Sequence, residues 1–175
     1  MAAMSALQAV VGEVEAHVAE AGWDQPPQLF ALVDTEELLR AEPQLATTMG
    51  IVAGQPGGLT PVAQDPLGDG PLDEELARIE FGDQVVGVVL AHEVLVLPPS
   101  VEQSLEELDA EAAAAHPEAR EVRMVVAVAR DGSRAAVLRL RARAPGVGEA
   151  AGEDERVTGP DLAPALAEAL LATLA

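Results

Sequence analysis

The chain has 175 residues, a formal net charge of −20 and 49% hydrophobic residues, with one tryptophan, two phenylalanines and no lysine, cysteine or tyrosine. Without lysine there is no Schiff base, pyridoxal phosphate anchor or Walker phosphate loop, and without cysteine no thiolate nucleophile, disulfide or Cys-ligated metal. Thirty acids against ten arginines argue against nucleic-acid or anionic-membrane binding, because phosphate groups would be repelled.

The length suits a single α+β domain over residues 1–175. No stretch approaches the ~20 apolar residues of a membrane span. The N-terminus lacks a basic start, and Glu13 and Glu15 interrupt its apolar run, so a signal peptide is not expected and the protein is read as cytoplasmic.

Residues 6–21 carry Leu7, Val10, Val14, Val18 and Ala21 at helical steps, with Ser5 as a candidate cap and Gly22 as a stop. Pro26-Pro27 forces an extended entry into a short strand, Leu29 to Val33. Asp34 or Thr35 can cap a short helix carrying Leu38 and Leu39. Residues 43–71 hold five prolines and six glycines and are predicted as an irregular insert, most ordered at Leu59-Thr60-Pro61-Val62. A short helix is expected at 72–80, with Asp73, Glu74 and Glu75 in its first turn, where negative charge suits the helix dipole.

Val85 to Leu97 is apolar on both faces and is predicted as a central strand, with Gly87 marking a bulge or a close backbone contact. Ser100 and Gln103 form a capping box for a helix to about Ala115. A last helix is expected over 160–174, with Leu162, Leu166, Leu170 and Leu174 on one face.

Between these helices lies a hairpin whose register follows from polarity. The even positions Val122, Met124, Val126 and Val128 of one strand match Ala136, Leu138, Leu140 and Ala142 of the next. A three-residue loop, Arg130-Asp131-Gly132, pairs Met124 with Leu138 and puts Gly132 at a left-handed position; a two-residue loop would pair Met124 with Arg139. The odd positions then place Arg123 opposite Arg139 and Glu121 opposite Arg141, with Arg143 beyond. Seven of the ten arginines lie between Arg120 and Arg143, where only Glu121 and Asp131 oppose them. Like charges in register need acids between them, supplied from elsewhere in the chain or by a partner.

Few other residues suggest chemistry. His17, His92 and His116 have no metal-ligand spacing, so no metal or other cofactor is expected. His92-Glu93 is the best acid–base pair by sequence, but a strand should turn the two to opposite faces and let Glu93 reach solvent or an arginine. Trp23 and Asp24 could form a ligand corner with Glu93, against the simpler reading that the tryptophan fills the gap between helix and sheet. Gly146 to Gly152 has the wrong spacing for a dinucleotide loop and is followed by three acids.

The run Gly22-Trp23-Asp24-Gln25-Pro26-Pro27 with Leu29-Phe30-Ala31-Leu32-Val33 resembles an uncharacterised family of small acidic actinobacterial proteins. Leu59-Thr60-Pro61-Val62, Val96-Leu97-Pro98-Pro99, His116-Pro117, Arg130-Asp131-Gly132, Arg139-Leu140-Arg141 and Gly159-Pro160-Asp161-Leu162 extend the resemblance over nearly the whole chain. It departs at Phe81-Gly82 and at Val94, where the family is expected to carry Trp-Pro and arginine. The resemblance implies a lineage and no activity. The element order is also similar to the secretion-chaperone-like fold, whose members bind protein segments, often as dimers.

The expected protein is an antiparallel sheet with helices packed on one face. Its expected role is non-catalytic: a chaperone-like or adaptor module binding another protein through Arg123, Arg139, Arg141 and Arg143, with homodimerisation left open. The alternative is an enzyme or small-ligand binder using a cleft near Trp23, Asp24 and Glu93. An acidic nucleic-acid mimic is a third class.

Overall fold

The hairpin takes the register that its polarity demands. In the computed structural model, which describes residues 2–48, 58–68, 70–96, 120–141, 154–159 and 162–174, strands β4 (Arg120–Ala129) and β5 (Arg134–Leu140) pair Met124 with Leu138, Val126 with Ala136 and Arg123 with Arg139. Gly132 closes the three-residue loop at φ +91°, where a side chain would be strained.

Four more strands extend this hairpin into one antiparallel sheet: β1 (Gln28–Asp34), β2 (Leu59–Ala63), β3 (Val85–Val96) and β6 (Glu155–Gly159), in the order β2-β1-β3-β4-β5-β6. The most apolar strand, β3, lies inside the sheet between β1 and β4. Its register against β1 shifts between Leu32 and Val33, beside Gly87. A Cβ at Gly87 would stand 2.6 Å from the Val128 carbonyl oxygen and 3.1 Å from Leu32 Cδ1, so both a bulge and a close approach occur there.

The α+β class and the antiparallel sheet are as expected, but helices cover both faces rather than one. Helix α1 (Ala2–Glu20) buries Leu7, Val10, Val11, Val14 and Val18 against Phe30, Leu32, Val89, Ala91, Val125, Ala127, Ala135 and Val137. On the other face, α4 (Leu72–Ala77) and α5 (Pro164–Ala172) bury Leu76, Ala167 and Leu170 against Leu29, Val88, Leu90, Val126, Val128 and Ala136. The reason is legible afterwards. The odd positions Val125, Ala127, Ala135 and Val137 are as apolar as the even ones, so only the far end of that face carries arginine.

Two short helices, α2 (Thr35–Ala41) and α3 (Pro43–Thr48), complete the described elements. Asp34, not Thr35, caps α2 by accepting the Glu37 N–H at 3.1 Å. Helix α1 begins at Ala2, so Ser5 is not its cap, and it ends at Gly22 with φ +84°. The segment expected to be irregular contains α3 and the edge strand β2. The expected helix at 100–115 and the Gly146–Gly152 segment lie outside the described residues.

Arg130 fastens the loop end of the hairpin to both neighbouring chain ends. Its Nε donates to Val85 O at 2.7 Å and its Nη2 to Gly82 O at 2.8 Å and Phe81 O at 3.2 Å, while Nη1 donates to Leu174 O. One guanidinium thereby satisfies carbonyls from two separate stretches, 81–85 and the end of the last helix.

Candidate functional site

Sheet register lines up four charged side chains across the α1 face. Glu93 of β3 pairs with Arg123 of β4, Arg123 with Arg139 of β5, and Arg139 with Arg156 of β6. Three neighbouring cations on one sheet face repel unless acids come between them. The acids arrive from within the chain. Glu15 descends from α1, fully buried, and takes Arg139 in a two-point grip, from Nε to Oε1 and from Nη2 to Oε2 at 3.1 Å. Its Oε2 also lies 3.4 Å from Arg156 Nε. At the outer end Arg141 donates to Glu121 and reaches Asp24 at 3.5 Å. Donating to Glu15 raises Arg139 above the ordinary arginine range, and donating to Glu121 does the same for Arg141, so both stay charged at every accessible pH.

The tryptophan motif is the lid over this cluster. Gly22 turns the chain out of α1, and Asp24 adopts a left-handed φ of 66°. Gln25 reaches back with its amide to Val18 O at 2.8 Å and Gly22 O at 2.6 Å, covering carbonyls that the helix end leaves open. Glu93 holds the turn from the sheet: one carboxylate oxygen accepts the Asp24 N–H at 2.9 Å, the other the Gln25 N–H at 3.0 Å. The Trp23 ring, half-buried, lies within 4.6 Å of the Arg123 guanidinium carbon and 5.6 Å of that of Arg141, and its Nε1–H donates to Asp154 at 3.1 Å.

Arg123 is the most confined of these charges, with 1% of its surface exposed. Its Nη2 donates to Gly22 O and to Glu93 at 3.1 Å, while Nε and Nη1 have no hydrogen-bond partner among the described residues. The Trp23 ring face offsets part of that cost, since a desolvated cation–π contact is worth about 2 kcal/mol.

The structure therefore brings Trp23, Asp24 and Glu93 together, as the ligand-corner reading required, with Arg123 packed against both Trp23 and Glu93. Among the described residues, the void bounded by Val18, Gln25, Ala91, Glu93 and Arg123 is too small for a water molecule. His92 lies on the opposite face, registered against Met124, so it forms no dyad with Glu93. Burial pushes its imidazole below the ordinary value, against a smaller opposing pull from Glu93. Among the described residues no group of three or more His, Asp or Glu is arranged to hold a metal, and no helix is long and apolar enough to cross a membrane.

The expected outward-facing arginine surface needs correction too. Arg123 is interior and Arg139 keeps only 23% of its side chain exposed, because α1 and the Trp23 turn cover that face. Arg141 and Arg156 remain at the margin, 39% and 45% exposed. Arg143 lies outside the described residues. Sequence reasoning missed Glu15, Asp154 and Arg156 as members of the cluster. Only Glu15 carried a signal: it stands beside Val14 and four residues after Val11, at the edge of the apolar stripe of α1.

A six-stranded antiparallel sheet with helices on both faces, and an ion-pair cluster locked by a helix-to-strand turn, define the class of protein. The chain belongs to the PPA1309-like protein family, an uncharacterised family whose model matches residues 7–175. No curated protein and no solved structure gives a significant match to the chain.

Proposed function

We propose that this protein is a non-catalytic protein-binding module, chaperone-like or adaptor in role and cytoplasmic, whose docking surface is the exposed margin of the arginine cluster. One observation carries the reading. On a molecule of charge −20, Arg141 stays half-exposed against a half-buried tryptophan, its partner Glu121 is registered opposite the exposed Leu95, and Arg156 stays half-exposed at the sheet edge. Tryptophan and arginine beside apolar surface are the residue types that dominate binding energy at protein interfaces. The interior members Glu15, Glu93, Arg123 and Arg139 hold that margin rigid and are spent on one another. The groups of the competing ligand corner are likewise consumed by backbone and arginine contacts.

Affinity capture from a lysate of an organism carrying the family, with wild type and Arg141→Glu as parallel baits, tests this reading. Loss of the same specific proteins from the variant supports it. Equal recovery with both baits, circular dichroism being unchanged, removes that surface from the binding role.

A further inference from the structure

The two described edges of the sheet are built differently. Hydrogen bonds from Thr35 N to Gly58 O and from Gln64 N to Leu29 O fix the phase of the β1–β2 ladder, so residues 59, 61 and 63 turn their backbone groups outward. The central one is Pro61, which has no N–H to offer. That edge is blocked in the manner expected of a protected strand.

Among the described residues the opposite edge carries no proline. Bonds from Ala129 N to Ser133 O and from Arg141 N to Glu121 O show that the odd residues of β5 bond to β4. Its even residues therefore bond to β6 through Glu155, Val157 and Gly159. The N–H and C=O of Arg156 and Thr158 point away from the sheet, and among the described residues no strand pairs with them. Beside this edge runs a groove of about 340 Å³ between α1 and the sheet, lined by Gln8, Val11, Gly12, Val137, Arg156 and Thr158. Gly12 lets the Arg156 guanidinium lie against the helix, since a Cβ there would stand 3.3 Å from Nη2. Glu15 divides one carboxylate between Arg139, which it grips at two points, and Arg156, which it meets at 3.4 Å, and the Arg156 side chain stays 45% exposed at the groove.

Resting on the protein-binding reading, we propose that the partner is an extended acidic peptide segment that adds to β6 as a seventh strand and lays a carboxylate side chain into the groove against Arg156. Main-chain bonds to Arg156 and Thr158 supply the sequence-independent part of binding, and the groove reads every second side chain. A second copy of this chain fits less well. An antiparallel β6–β6 pairing would bring another Arg156 and Thr158 to the α1 side rather than an acid. It would also join two molecules of charge −20 over a strand of five residues, well short of the roughly 1,200 Å² of a stable interface.

Titrating ¹⁵N-labelled protein with acetyl-Thr-Val-Glu-Val-Thr-amide and its Gln counterpart tests this. Amide signals of Arg156 and Thr158 are expected to shift, and the acidic peptide to bind about tenfold tighter, as one charge-assisted hydrogen bond provides. Thr158→Pro removes the outward N–H, which no strand of the described sheet uses, together with the threonine hydroxyl at the groove, so it is expected to weaken both peptides about tenfold with the circular dichroism spectrum unchanged. Arg156→Gln is expected to erase the preference for Glu over Gln. Shifts centred elsewhere, equal affinity of the two peptides for wild type, or indifference to Thr158→Pro would overturn the proposal. So would a dimer in sedimentation that Thr158→Pro dissolves. Absence of peptide binding alongside an Arg141-dependent capture would sink this inference alone; failure of that capture as well would remove both.

Discussion

Replacing Glu15 with alanine removes the carboxylate that bridges Arg139 and Arg156, both registered on one sheet face. Glu15 is fully buried and receives two hydrogen bonds from Arg139, so its loss strips a confined cation of its hydrogen-bonded counter-charge and leaves it the electrostatic pull of Asp154. Breaking a buried pair from one side costs about 3–5 kcal/mol. Arg139 keeps 23% of its side chain in water and Arg156 45%, and that exposure reduces the expected cost to about 2–3 kcal/mol. For a chain of this size the melting temperature should fall by roughly 5–10 °C. Urea unfolding measures it directly, as a lower midpoint with an unchanged slope. The double variant Glu15→Leu with Arg139→Leu should recover most of the loss, because a packed apolar pair replaces a desolvated ionic one at little net cost. A penalty below about 1 kcal/mol for Glu15→Ala, or a double variant no more stable than the single one, would refute the reasoning.

Gly87→Ala sets a methyl group 2.6 Å from the Val128 carbonyl oxygen in the middle of the sheet; a loss of about 1–3 kcal/mol is expected from overpacking, and an unchanged urea midpoint would contradict it. Arg130→Met leaves the carbonyls of Val85, Phe81, Gly82 and Leu174 without their shared donor. The expected cost is about 1.5–3 kcal/mol, with faster amide exchange at the C-terminal end of α5; unaltered exchange there would show that the clamp is idle. The pH response of His92 is the last test. Burial holds its folded-state value below the ordinary one, so the unfolded chain takes up the proton first as pH falls. Its contribution is full above the ordinary value and is lost on going from about pH 7 toward 5. His92→Gln should flatten that part of the stability curve relative to wild type, and an identical slope in both proteins would rule the histidine out.

The local pattern of this chain carried the elements well where one physical constraint dominated. Alternation in 122–129 and 134–140, with a glycine at the only turn position compatible with that alternation, determined the hairpin register to the residue. Apolarity on both faces, broken only by His92-Glu93, placed β3 inside the sheet, and Gly22, Pro26 and Pro27 punctuated the passage from α1 to β1. The edge strand β6 was invisible for the opposite reason. Residues 155–158 are exposed, so no burial pattern was imposed on them.

By itself the sequence determined which groups are charged and that three arginines must seek acids, because side-chain period and turn geometry are properties of the chain. Only the tertiary structure decided which acids answer. Glu15, Glu93 and Asp24 meet those arginines across separations of up to 124 residues, through a register and a helix placement that no local pattern encodes. The same closure buried Arg123 under Trp23 and left one margin of the cationic row in water. Whether a surface arginine is a fastener or a docking point depends on what packs above it, and that is settled by contacts distant in the chain.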